Sequence, residues 1–522
     1  VGKGFADTRI AVGDTTKLTI TLFNTNPPGG DDTGANPALI DNIPVGLTAI
    51  AGTESTTCAG GIVTVGAGGQ TVTLSGGLIR AGLTCNVTVN VKGNTAGTYT
   101  NTIPAGALRT LGNVTNPDVA TANLVVLAKP TITKAFSTTN VAPGTVVTVT
   151  LTLANSNNAT ALPGGFTNVQ FSDTLTDMVL AAPFNVGGTC TGVTYTGAAG
   201  DTTFTVTNGV IPPAGSCTIT FPVKSDISGV RSNTTTGVLT GQTLTAGNAS
   251  NTATYTVLTP PTAAKAFDKA EEVSNVGFTL TFTITNVNAI AVGITNAGLT
   301  DTFPTGMKVA SPLVTTNTCT SVALRGLSGA ALAANDTGIV FFGGSIPVGG
   351  CSISVKVLAT SPGTYKNTFA EFQTNAGTSP GGDATIKISG VPEIVLSKAC
   401  TEPVGCTTTT QRPGIDLTWQ IDFTNSGGSS GTTLIIADQI PANTDFKVGS
   451  VNVNTKTTGL GFSIQYSNDG GTSWTYIPVS AGGGAAAGYD RNVTNVRAVF
   501  TGTLINVAPN NTGSFSFISQ IR

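Results

Sequence analysis

The stretch Val147-Thr-Val-Thr-Leu-Thr-Leu153 alternates apolar residues with threonine over its whole length. Similar stretches occur before and after it, at Lys17-Leu-Thr-Ile-Thr-Leu-Phe23 and Phe278-Thr-Leu-Thr-Phe-Thr-Ile284. Successive side chains of a strand point to opposite faces of a sheet, so this alternation predicts half-buried antiparallel strands. Gly, Pro, Asn and Asp punctuate the strands, and no stretch shows the periodicity of a helix. The sequence therefore predicts an all-β fold of immunoglobulin-like β-sandwiches.

The chain repeats itself at the length of a domain. Each repeat opens with a related tripeptide: Lys3-Gly-Phe5, Lys134-Ala-Phe136, Lys265-Ala-Phe267 and Lys398-Ala-Cys400. Pro130, Pro261 and Pro392 lie at the joints, where proline separates one sheet from the next and stiffens the connection. We therefore expect four tandem domains in an elongated rod, residues 1–128, 129–258, 259–391 and a divergent 392–522. These are called blocks one to four.

The eight cysteines fall two to a block. The chain has no CxxC spacing and no histidine to complete a metal site, so we expect disulfides, no metal and no other cofactor. The expected pairs are Cys58–Cys85, Cys190–Cys217, Cys319–Cys351 and Cys400–Cys406. Closing a loop as long as those of the first two blocks stabilises a domain by about 3.5 kcal/mol. Disulfides indicate an oxidising compartment, so the chain is expected to be secreted, extracellular or on the cell surface.

The composition argues against several classes of function. Only 10% of the 522 residues are charged and the net charge is −2, which argues against binding to nucleic acid. No apolar run is long enough to span a bilayer, so no membrane span is expected. No charged-then-apolar leader precedes Val1, as expected of a mature chain or of one without a leader. Without histidine there is no Ser-His-Asp relay, and we do not expect an enzyme.

Block four departs from the repeat. Its Asp438 lies unusually far from Gly513, which aligns with the second Cys of the other blocks, so we expect an insertion of roughly 30 residues. The insertion contains Tyr466-Ser-Asn-Asp-Gly-Gly-Thr-Ser-Trp474, an Asp-box pattern that predicts the turn of a hairpin over Phe462–Tyr476. The last strand, Ser514–Arg522, leaves the sandwich about two strands short. Either the insertion completes the sandwich or a strand of another subunit does.

Short motifs recur in register across the first three blocks. Examples are Ala-Pro-Gly at 142–144, Asp301-Thr-Phe-Pro-Thr-Gly306 and Gly-Thr-Tyr-Thr-Asn-Thr at 97–102. Together with the opening Lys-Ala-Phe, they resemble the DUF11-type repeat, a family of immunoglobulin-like modules in large bacterial surface proteins, fimbrial subunits and adhesin stalks. The resemblance implies secretion, surface display and mechanical service, without catalytic activity on substrates.

One Lys, one Asp and one Asn recur in each of the first three blocks. The sets are Lys3, Asp41 and Asn101; Lys134, Asp173 and Asn233; and Lys265, Asp301 and Asn367. Some fimbrial sandwiches similar to these join the Lys to the Asn through an isopeptide bond. Burial favours the neutral amine and a protonated Asp, which then polarises the carboxamide. A buried ion pair with an Asn that caps a turn fits the same spacing. Block four keeps Lys398 and Asp438 but lacks the late Asn, so no bond is expected there.

These features favour a structural role. Serial reuse of one domain supplies reach and strength, so the first hypothesis is a subunit of a bacterial extracellular filament, sheath or stalk that polymerises head to tail with itself. The alternative is an adhesin whose block four binds a ligand such as a surface glycan, because Trp419 and Trp474 both lie there. Asp31, Asp32 and Asn36 could ligate calcium, but a solvated loop is the favoured interpretation of these residues.

Overall fold

The computed structural model describes residues 1–29, 34–35, 38–288 and 294–522. Over these residues the chain is built from β-strands, and its one helical element is a 3-10 turn at Ala67–Gly69. It divides into two compact units, Val1–Thr259 with blocks one and two, and Pro260–Arg522 with blocks three and four. The prediction of an all-β chain of tandem immunoglobulin-like sandwiches is confirmed. The proposed calcium loop around Asp31 and Asp32 lies outside the described residues.

The described residues of the first unit form 24 strands. Those of block one are β1 (Gly2–Phe5), β2 (Arg9–Ala11), β3 (Thr15–Phe23), β4 (Gly34–Ala35), β5 (Ala38–Asn42), β6 (Leu47–Ala49), β7 (Ser55–Thr56), β8 (Ile62–Val65), β9 (Thr71–Ser75), β10 (Leu78–Ile79), β11 (Thr84–Gly93), β12 (Gly97–Ile103) and β13 (Ala120–Leu127). Those of block two are β14 (Thr131–Phe136), β15 (Asn140–Val141), β16 (Val147–Asn155), β17 (Phe166–Thr174), β18 (Val179–Leu180), β19 (Gly187–Gly188), β20 (Thr194–Thr196), β21 (Thr203–Ile211), β22 (Gly215–Lys224), β23 (Gly229–Asn233) and β24 (Ala253–Val257).

The strands of the second unit follow the same order along the chain. Those of block three are β25 (Thr262–Phe267), β26 (Glu271–Val273), β27 (Gly277–Thr285), β28 (Ile294–Thr295), β29 (Gly298–Thr302), β30 (Met307–Val309), β31 (Thr315–Asn317), β32 (Ala323–Arg325), β33 (Gly338–Phe342), β34 (Ser345–Ile346), β35 (Cys351–Ala359), β36 (Gly363–Thr374) and β37 (Gly377–Ser389). Those of block four are β38 (Ile394–Glu402), β39 (Asp416–Asn425), β40 (Gly431–Thr432), β41 (Ile435–Gln439), β42 (Thr444–Lys447), β43 (Asn452–Asn454), β44 (Gly461–Ser467), β45 (Tyr489–Asp490), β46 (Asn495–Thr501), β47 (Thr503–Leu504) and β48 (Thr512–Ile521).

One sheet has the same strand order in all four blocks. In each block the opening strand pairs with the strand of alternating apolar and polar residues. That strand pairs in turn with the strand at the position of the second Cys. The orders are β1-β3-β11-β6, β14-β16-β22-β18, β25-β27-β35-β30 and β38-β39-β48-β42. Cys217 lies opposite Leu153 in block two, and Gly513 lies opposite Phe423 in block four. The register therefore agrees with the alignment of Gly513 to the second Cys.

The second layer of each sandwich carries the repeated Asp. In block three it is one sheet of order β26-β37-β36-β29-β33-β32. In blocks one and two the corresponding strands form two sheets each, namely β5-β9-β8 with β12-β13-β2, and β17-β21-β20 with β15-β24-β23. Apolar side chains of both layers fill the space between them; Val149, Phe204 and Phe221 of block two, for example, are all at most 1% exposed. This burial is the main stabilising term of each block.

The second layer of block four is smaller and differs from the expected hairpin. Over residues 394–522 it consists of β41-β46-β44. The last strand pairs of the other blocks, β12-β13, β23-β24 and β36-β37, have no counterpart in this range. Strand β44 pairs with β46, and the segment after its turn forms only an isolated bridge between Tyr466 and Tyr476. Pro478 in that segment has no N–H to donate to a ladder, whereas β46 offers a full antiparallel partner. The terminal strand β48 lies inside its sheet, between β39 and β42.

Hydrogen bonds fix the joint between blocks one and two within the first unit. Asn157 Nδ2 donates to the carbonyl oxygen of Ala128 at 2.8 Å, and the Ala128 N–H donates back to Asn157 Oδ1 at 2.9 Å. The Leu244 N–H also donates to Asp14 Oδ2 at 3.0 Å. Polar contacts of this kind limit bending at a proline joint. Within the described residues, no helix is both long enough and apolar enough to cross a membrane.

Candidate functional site

A lysine of each opening strand points into the sandwich. Lys134 lies opposite Leu151 and Lys265 opposite Phe282, on the face of the strand that packs against the core. The side chains of Lys3, Lys134 and Lys265 have no exposed surface. Lysine is rarely buried without a partner, because its charged form loses its hydration.

An aspartate on the facing layer meets each lysine. Lys3 Nζ lies 2.5 Å from Asp41 Oδ1, and Lys134 Nζ contacts Asp173 Oδ2. Asp41, Asp173 and Asp301 are all fully buried. The structure therefore brings together the Lys and Asp of every set that the sequence singled out.

The asparagine joins the pair in blocks one and three. Asn101 Nδ2 donates to Asp41 Oδ2 at 3.0 Å, and Asn367 Nδ2 donates to Asp301 Oδ2 at the same distance. Block two differs, because Asn233 Nδ2 donates to the carbonyl oxygen of Thr174 at 2.8 Å. Strand β23 ends at Asn233, whereas β12 and β36 continue beyond their Asn. The contact between all three side chains is thus present in two blocks.

Burial changes the charge preference of these groups. It lowers the pKa of Lys3, Lys134 and Lys265, because removal from water penalises the ammonium form more than the nearby Asp favours it. Burial also raises the pKa of Asp41 and of Asp301 against the opposing effect of their lysines. In blocks one and three both directions favour a neutral amine beside a neutral carboxylic acid.

The carboxamide oxygens of the three asparagines are buried and have no hydrogen-bond partner among the described residues; they are Oδ1 of Asn101, Asn233 and Asn367. A buried acceptor without a donor is costly, which makes these atoms exceptional. A protonated Asp is a donor that could satisfy such an oxygen, and it would withdraw electrons from the carboxamide carbon. In blocks one and three the arrangement therefore holds an amine, an acid and a carboxamide together in a dry pocket, and these are the groups needed for amide exchange.

The corresponding pair of block four is open to solvent. Lys398 Nζ lies 2.6 Å from Asp438 Oδ2, but the two side chains are 37% and 16% exposed. Lys398 Nζ also lies 5.0 Å from the centre of the Trp419 ring and 5.9 Å from that of Phe517. No asparagine of the described chain joins this pair.

The structure places the eight cysteines in four pairs, each within its own block. The S–S distances are 2.06 Å for Cys58–Cys85, 2.05 Å for Cys190–Cys217, 2.02 Å for Cys319–Cys351 and 2.03 Å for Cys400–Cys406. In the first three blocks the second Cys lies on, or at the start of, the central strand of the sheet. Each of these pairs therefore ties an edge segment to the middle of its sheet. Among the described residues no His, Cys, Asp and Glu side chains form a group of three that could hold a metal.

The Asp-box stretch of block four is a hydrogen-bonded turn. Asp469 Oδ1 accepts from the Ser467 hydroxyl at 2.6 Å and from the Ser473 N–H at 2.9 Å. These donors lower the pKa of Asp469, with the Ser467 hydroxyl as the largest cause. The guanidinium of Arg497 lies 4.4 Å from the centre of the Trp474 ring, so a cation already contacts this aromatic ring.

A second repeated asparagine escaped the sequence analysis. At the end of each alternating strand a buried Asn donates its Nδ2 to a backbone carbonyl of a neighbouring segment: Asn24 to Ile79, Asn155 to Pro212, Asn286 to Ile346 and Asn425 to Leu504. The sequence signal was an Asn one or two residues after the end of each alternating run. Because all four blocks carry it, this Asn supports the fold, whereas the Lys-Asp-Asn set is limited to the first three.

The first three blocks match a known family model. The model is that of a domain of unknown function, DUF7933, and it matches residues 1–126, 130–257 and 261–388. The specific resemblance to DUF11-type repeats is not confirmed by this match. No curated protein sequence matches the chain.

Several solved structures align with this chain at low sequence identity. The C-terminal domain of the Streptococcus agalactiae AgI/II polypeptide BspA is 12% identical, with a TM-score of 0.35, 49% of this chain covered and 99% of that chain. The C-terminal domain of the Streptococcus pyogenes antigen I/II-family protein AspA is 10% identical, with a TM-score of 0.30 and coverages of 50% and 99%. A structure of three titin immunoglobulin domains is 10% identical, with a TM-score of 0.26 and coverages of 74% and 96%. At these TM-scores none of the three identifies a function.

Proposed function

Because the chain belongs to the DUF7933 family, whose domain it carries three times in tandem, we propose that it is a structural subunit of a bacterial extracellular filament, sheath or surface stalk. The observation that supports this proposal is the repetition of one domain with covalent and ionic contacts inside it. Each of the first three blocks contains a buried Lys–Asp contact between its layers and a disulfide at its central strand. Serial units of this kind transmit load along a chain, and their disulfides belong to an oxidising, extracellular environment.

In this proposal the Lys-Asp-Asn sets of blocks one and three cross-link the layers. The neutral amine of the Lys attacks Cγ of the Asn, the new Nζ–Cγ bond forms, the Cγ–Nδ2 bond breaks and ammonia leaves. The protonated Asp polarises the carboxamide oxygen through a hydrogen bond, and one proton passes through its carboxyl group from the attacking nitrogen to the leaving nitrogen, so that the Asp ends in its starting state. Support comes from the buried contacts of Asp41 with Lys3 and with Asn101, and from the raised pKa of Asp41. This chemistry acts within the chain, and the proposal assigns no reaction on external substrates.

In this proposal the subunits assemble head to tail, and block four takes part in the contact. Its second layer has three main strands over residues 394–522, whereas that of block three has six. An unpaired strand edge tends to recruit another strand, and a contact between unlike ends does not close on itself. Both features favour a filament of identical subunits.

An adhesin is the second candidate. Phe462, Ile477 and Val479 are 50%, 79% and 52% exposed, and all three belong to the inserted region of block four. Exposed apolar residues on a secreted domain favour a binding surface, and a surface glycan is a ligand that aromatic side chains such as Trp474 recognise. In this case the first three blocks serve as a stalk and the subunits do not polymerise.

Negative-stain electron microscopy of the purified chain, with sedimentation at several concentrations, distinguishes the two candidates. Filaments that lengthen with protein concentration are expected for the structural subunit. Uniform single particles at all concentrations would contradict polymerisation. Binding to immobilised glycans, lost in Ile477→Asp and retained in the wild type, would then support the adhesin.

A further inference from the structure

A tyrosine lies two residues before the Asn of the Lys-Asp-Asn set in the two blocks where that Asn contacts its Asp. In block one this residue is Tyr99 on β12, and in block three it is Tyr365 on β36. The Tyr99 hydroxyl donates to the carbonyl oxygen of Thr95 at 2.8 Å, and the Tyr365 hydroxyl donates to that of Ser361 at the same distance. Such a bond fixes the loop before a strand to the strand itself, as in the tyrosine corner of immunoglobulin folds.

Each tyrosine ring also packs against a glycine in the turn that follows the Asp. A Cβ atom at Gly46 would lie 2.3 Å from the Tyr99 hydroxyl oxygen, and one at Gly306 would lie 3.0 Å from that of Tyr365. The carbonyl oxygen of each glycine accepts a hydrogen bond from the N–H that follows the central strand, at 2.8 Å in block one and 3.0 Å in block three. The ring therefore fills the space between the turn and the Asn, and it needs a glycine to do so.

Block two has an Arg in place of the Tyr and an Asp in place of the Gly. Arg231 lies two residues before Asn233, and its Nη1 donates to Oδ2 of Asp177 at 2.8 Å. The Asp177 side chain is 55% exposed, so this link lies at the surface, whereas Tyr365 of block three is 8% exposed. The turn of block two, residues 174–177, is also one residue shorter than the turns 42–46 and 302–306.

The backbone register does not explain why the Asn of block two makes a different contact. Asp173 lies opposite Thr235, and Asp301 lies opposite Phe369, which in both blocks is the residue two after the Asn. The direction of the Asn side chain is what differs, because in block two it donates to the carbonyl oxygen of Thr174 in the turn. The two strands are antiparallel, so the residue two before the Asn lies between the Asn and this turn. That residue is the Tyr in blocks one and three and the Arg in block two.

We propose that Tyr99 and Tyr365 are positioning residues for the Lys–Asn cross-link. Each ring, packed against the glycine of the turn, closes the direction toward the turn and leaves the carboxamide directed at the Asp and the Lys. The Arg and Asp of block two link at the surface and leave the direction toward the turn open to Asn233. This inference rests on the proposed function, because it names the residues that decide which blocks of the subunit are cross-linked.

A graft into block two of the full chain gives the first test. Residues 176–177 are replaced by Pro-Thr-Gly, the sequence of residues 304–306, and Arg231→Tyr is added. The graft should gain a bond between Lys134 and Asn233, so its mass should fall by about 17 Da beyond the change that the substitutions cause. Asn233→Ala in the graft should abolish this extra deficit, and peptide mass spectrometry should locate the bond. A tyrosine that only supports the fold would add no covalent bond.

The reverse change in block three gives the second test. Freshly purified Tyr365→Arg should be largely without its bond between Lys265 and Asn367, because a misplacement of about 1 Å can slow a reaction by about 100-fold. Tyr365→Phe keeps the ring and should retain the bond. Thr364→Arg is the matched control, since Thr364 is exposed on the opposite face of the same strand and should also retain it. Hydrogen exchange in β35 shows whether block three of each variant is folded.

Several results would overturn the proposal. They are a folded graft without the extra bond, a complete bond in Tyr365→Arg, equal losses in Tyr365→Arg and Thr364→Arg, and a wild-type chain without a bond in blocks one and three. Electron microscopy of the same samples tests the proposed function separately. Filaments from a chain with any of these results would leave the structural subunit standing. Single particles with the expected masses would keep the positioning role and remove the homopolymer.

Discussion

Lys265 Nζ lies 2.7 Å from Asp301 Oδ1, and neither side chain has any exposed surface. Such a pair is expensive, because both charges lose their hydration and the attraction between them repays only part of the loss. The lowered pKa of Lys265 and the raised pKa of Asp301 express this imbalance. A structural core would be as stable with apolar residues at these positions. The repetition of the pair in three blocks therefore fits a chemical role better than a stabilising one.

The intact mass of the non-reduced chain should report the cross-links directly. Each Lys–Asn bond removes about 17 Da and each disulfide about 2 Da from the mass of the unmodified chain. We expect bonds in blocks one and three, where the Asn contacts the Asp, and a total deficit of about 42 Da with the four disulfides. Asn101→Ala and Asn367→Ala should each restore about 17 Da beyond the mass of the substitution itself. A wild-type deficit of about 8 Da would contradict bond formation in every block.

Removal of Asp301 should strongly destabilise a block three that cannot cross-link. In an Asn367→Ala background, Asp301→Ala leaves Lys265 buried without its partner, and the expected cost is about 3–5 kcal/mol. Replacement of both residues, Lys265→Met with Asp301→Leu, should be neutral or stabilising by about 1–4 kcal/mol. Denaturant unfolding followed by hydrogen exchange in β35 would measure both. Equal costs for the single and the double replacement would show that packing, and not charge, dominates the site.

The stability of the same uncross-linked block should depend on pH at both ends of the scale. Burial raises the pKa of Asp301 above 3.8, so its contribution to folding is fully present below that pH and is lost as pH rises through the raised value. Burial lowers the pKa of Lys265 below 10.5, so its contribution is fully present above that pH and is lost as pH falls through the lowered value. The stability difference from the Lys265→Met, Asp301→Leu variant should therefore be largest around neutral pH. A difference that stays constant with pH would refute the assigned pKa directions.

Much of the site could be predicted from one sequence because a strand has a period of two. Lys134 lies two residues beyond Ile132 on the same face of the strand, so a buried Ile implies a Lys that points inward. The recurrence of an Asp and an Asn at matching positions of the blocks then identified the partners of the Lys. The different contact of Asn233 could not be foreseen, because it depends on where β23 ends. Such an end is set by tertiary packing and not by the local pattern.

The hairpin expected in block four does not form as a pair of strands, and the reason is related. The Asp-box sequence specifies a turn, and that turn forms around Asp469, but a turn does not determine which strand β44 joins. The position of β48 within its sheet could not be predicted either: the sequence identified it as the last strand, and the structure places it between β39 and β42. Deletion of Ser514–Arg522 would therefore unfold block four and would not report on assembly by itself.

The disulfides of blocks two and four should contribute unequally. In the chain-entropy model the stabilisation grows with the closed loop, and the separations are 27 residues for Cys190–Cys217 and 6 for Cys400–Cys406. Replacement of both Cys by Ser should cost about 3.5 kcal/mol in block two and about 2 kcal/mol in block four.

Each block needs its own probe for this comparison, because a chain of several domains does not unfold in one step. Trp419 and Trp474 are the only two tryptophans and both lie in block four, so tryptophan fluorescence follows that block alone. Hydrogen exchange in β22 follows block two, and each variant serves as the control for the other, because sites this far apart along the chain should act independently. A loss in block four as large as that in block two would show that the short loop stabilises by contacts of the folded state. A loss that spreads from the altered block to the other would show that neighbouring blocks unfold together.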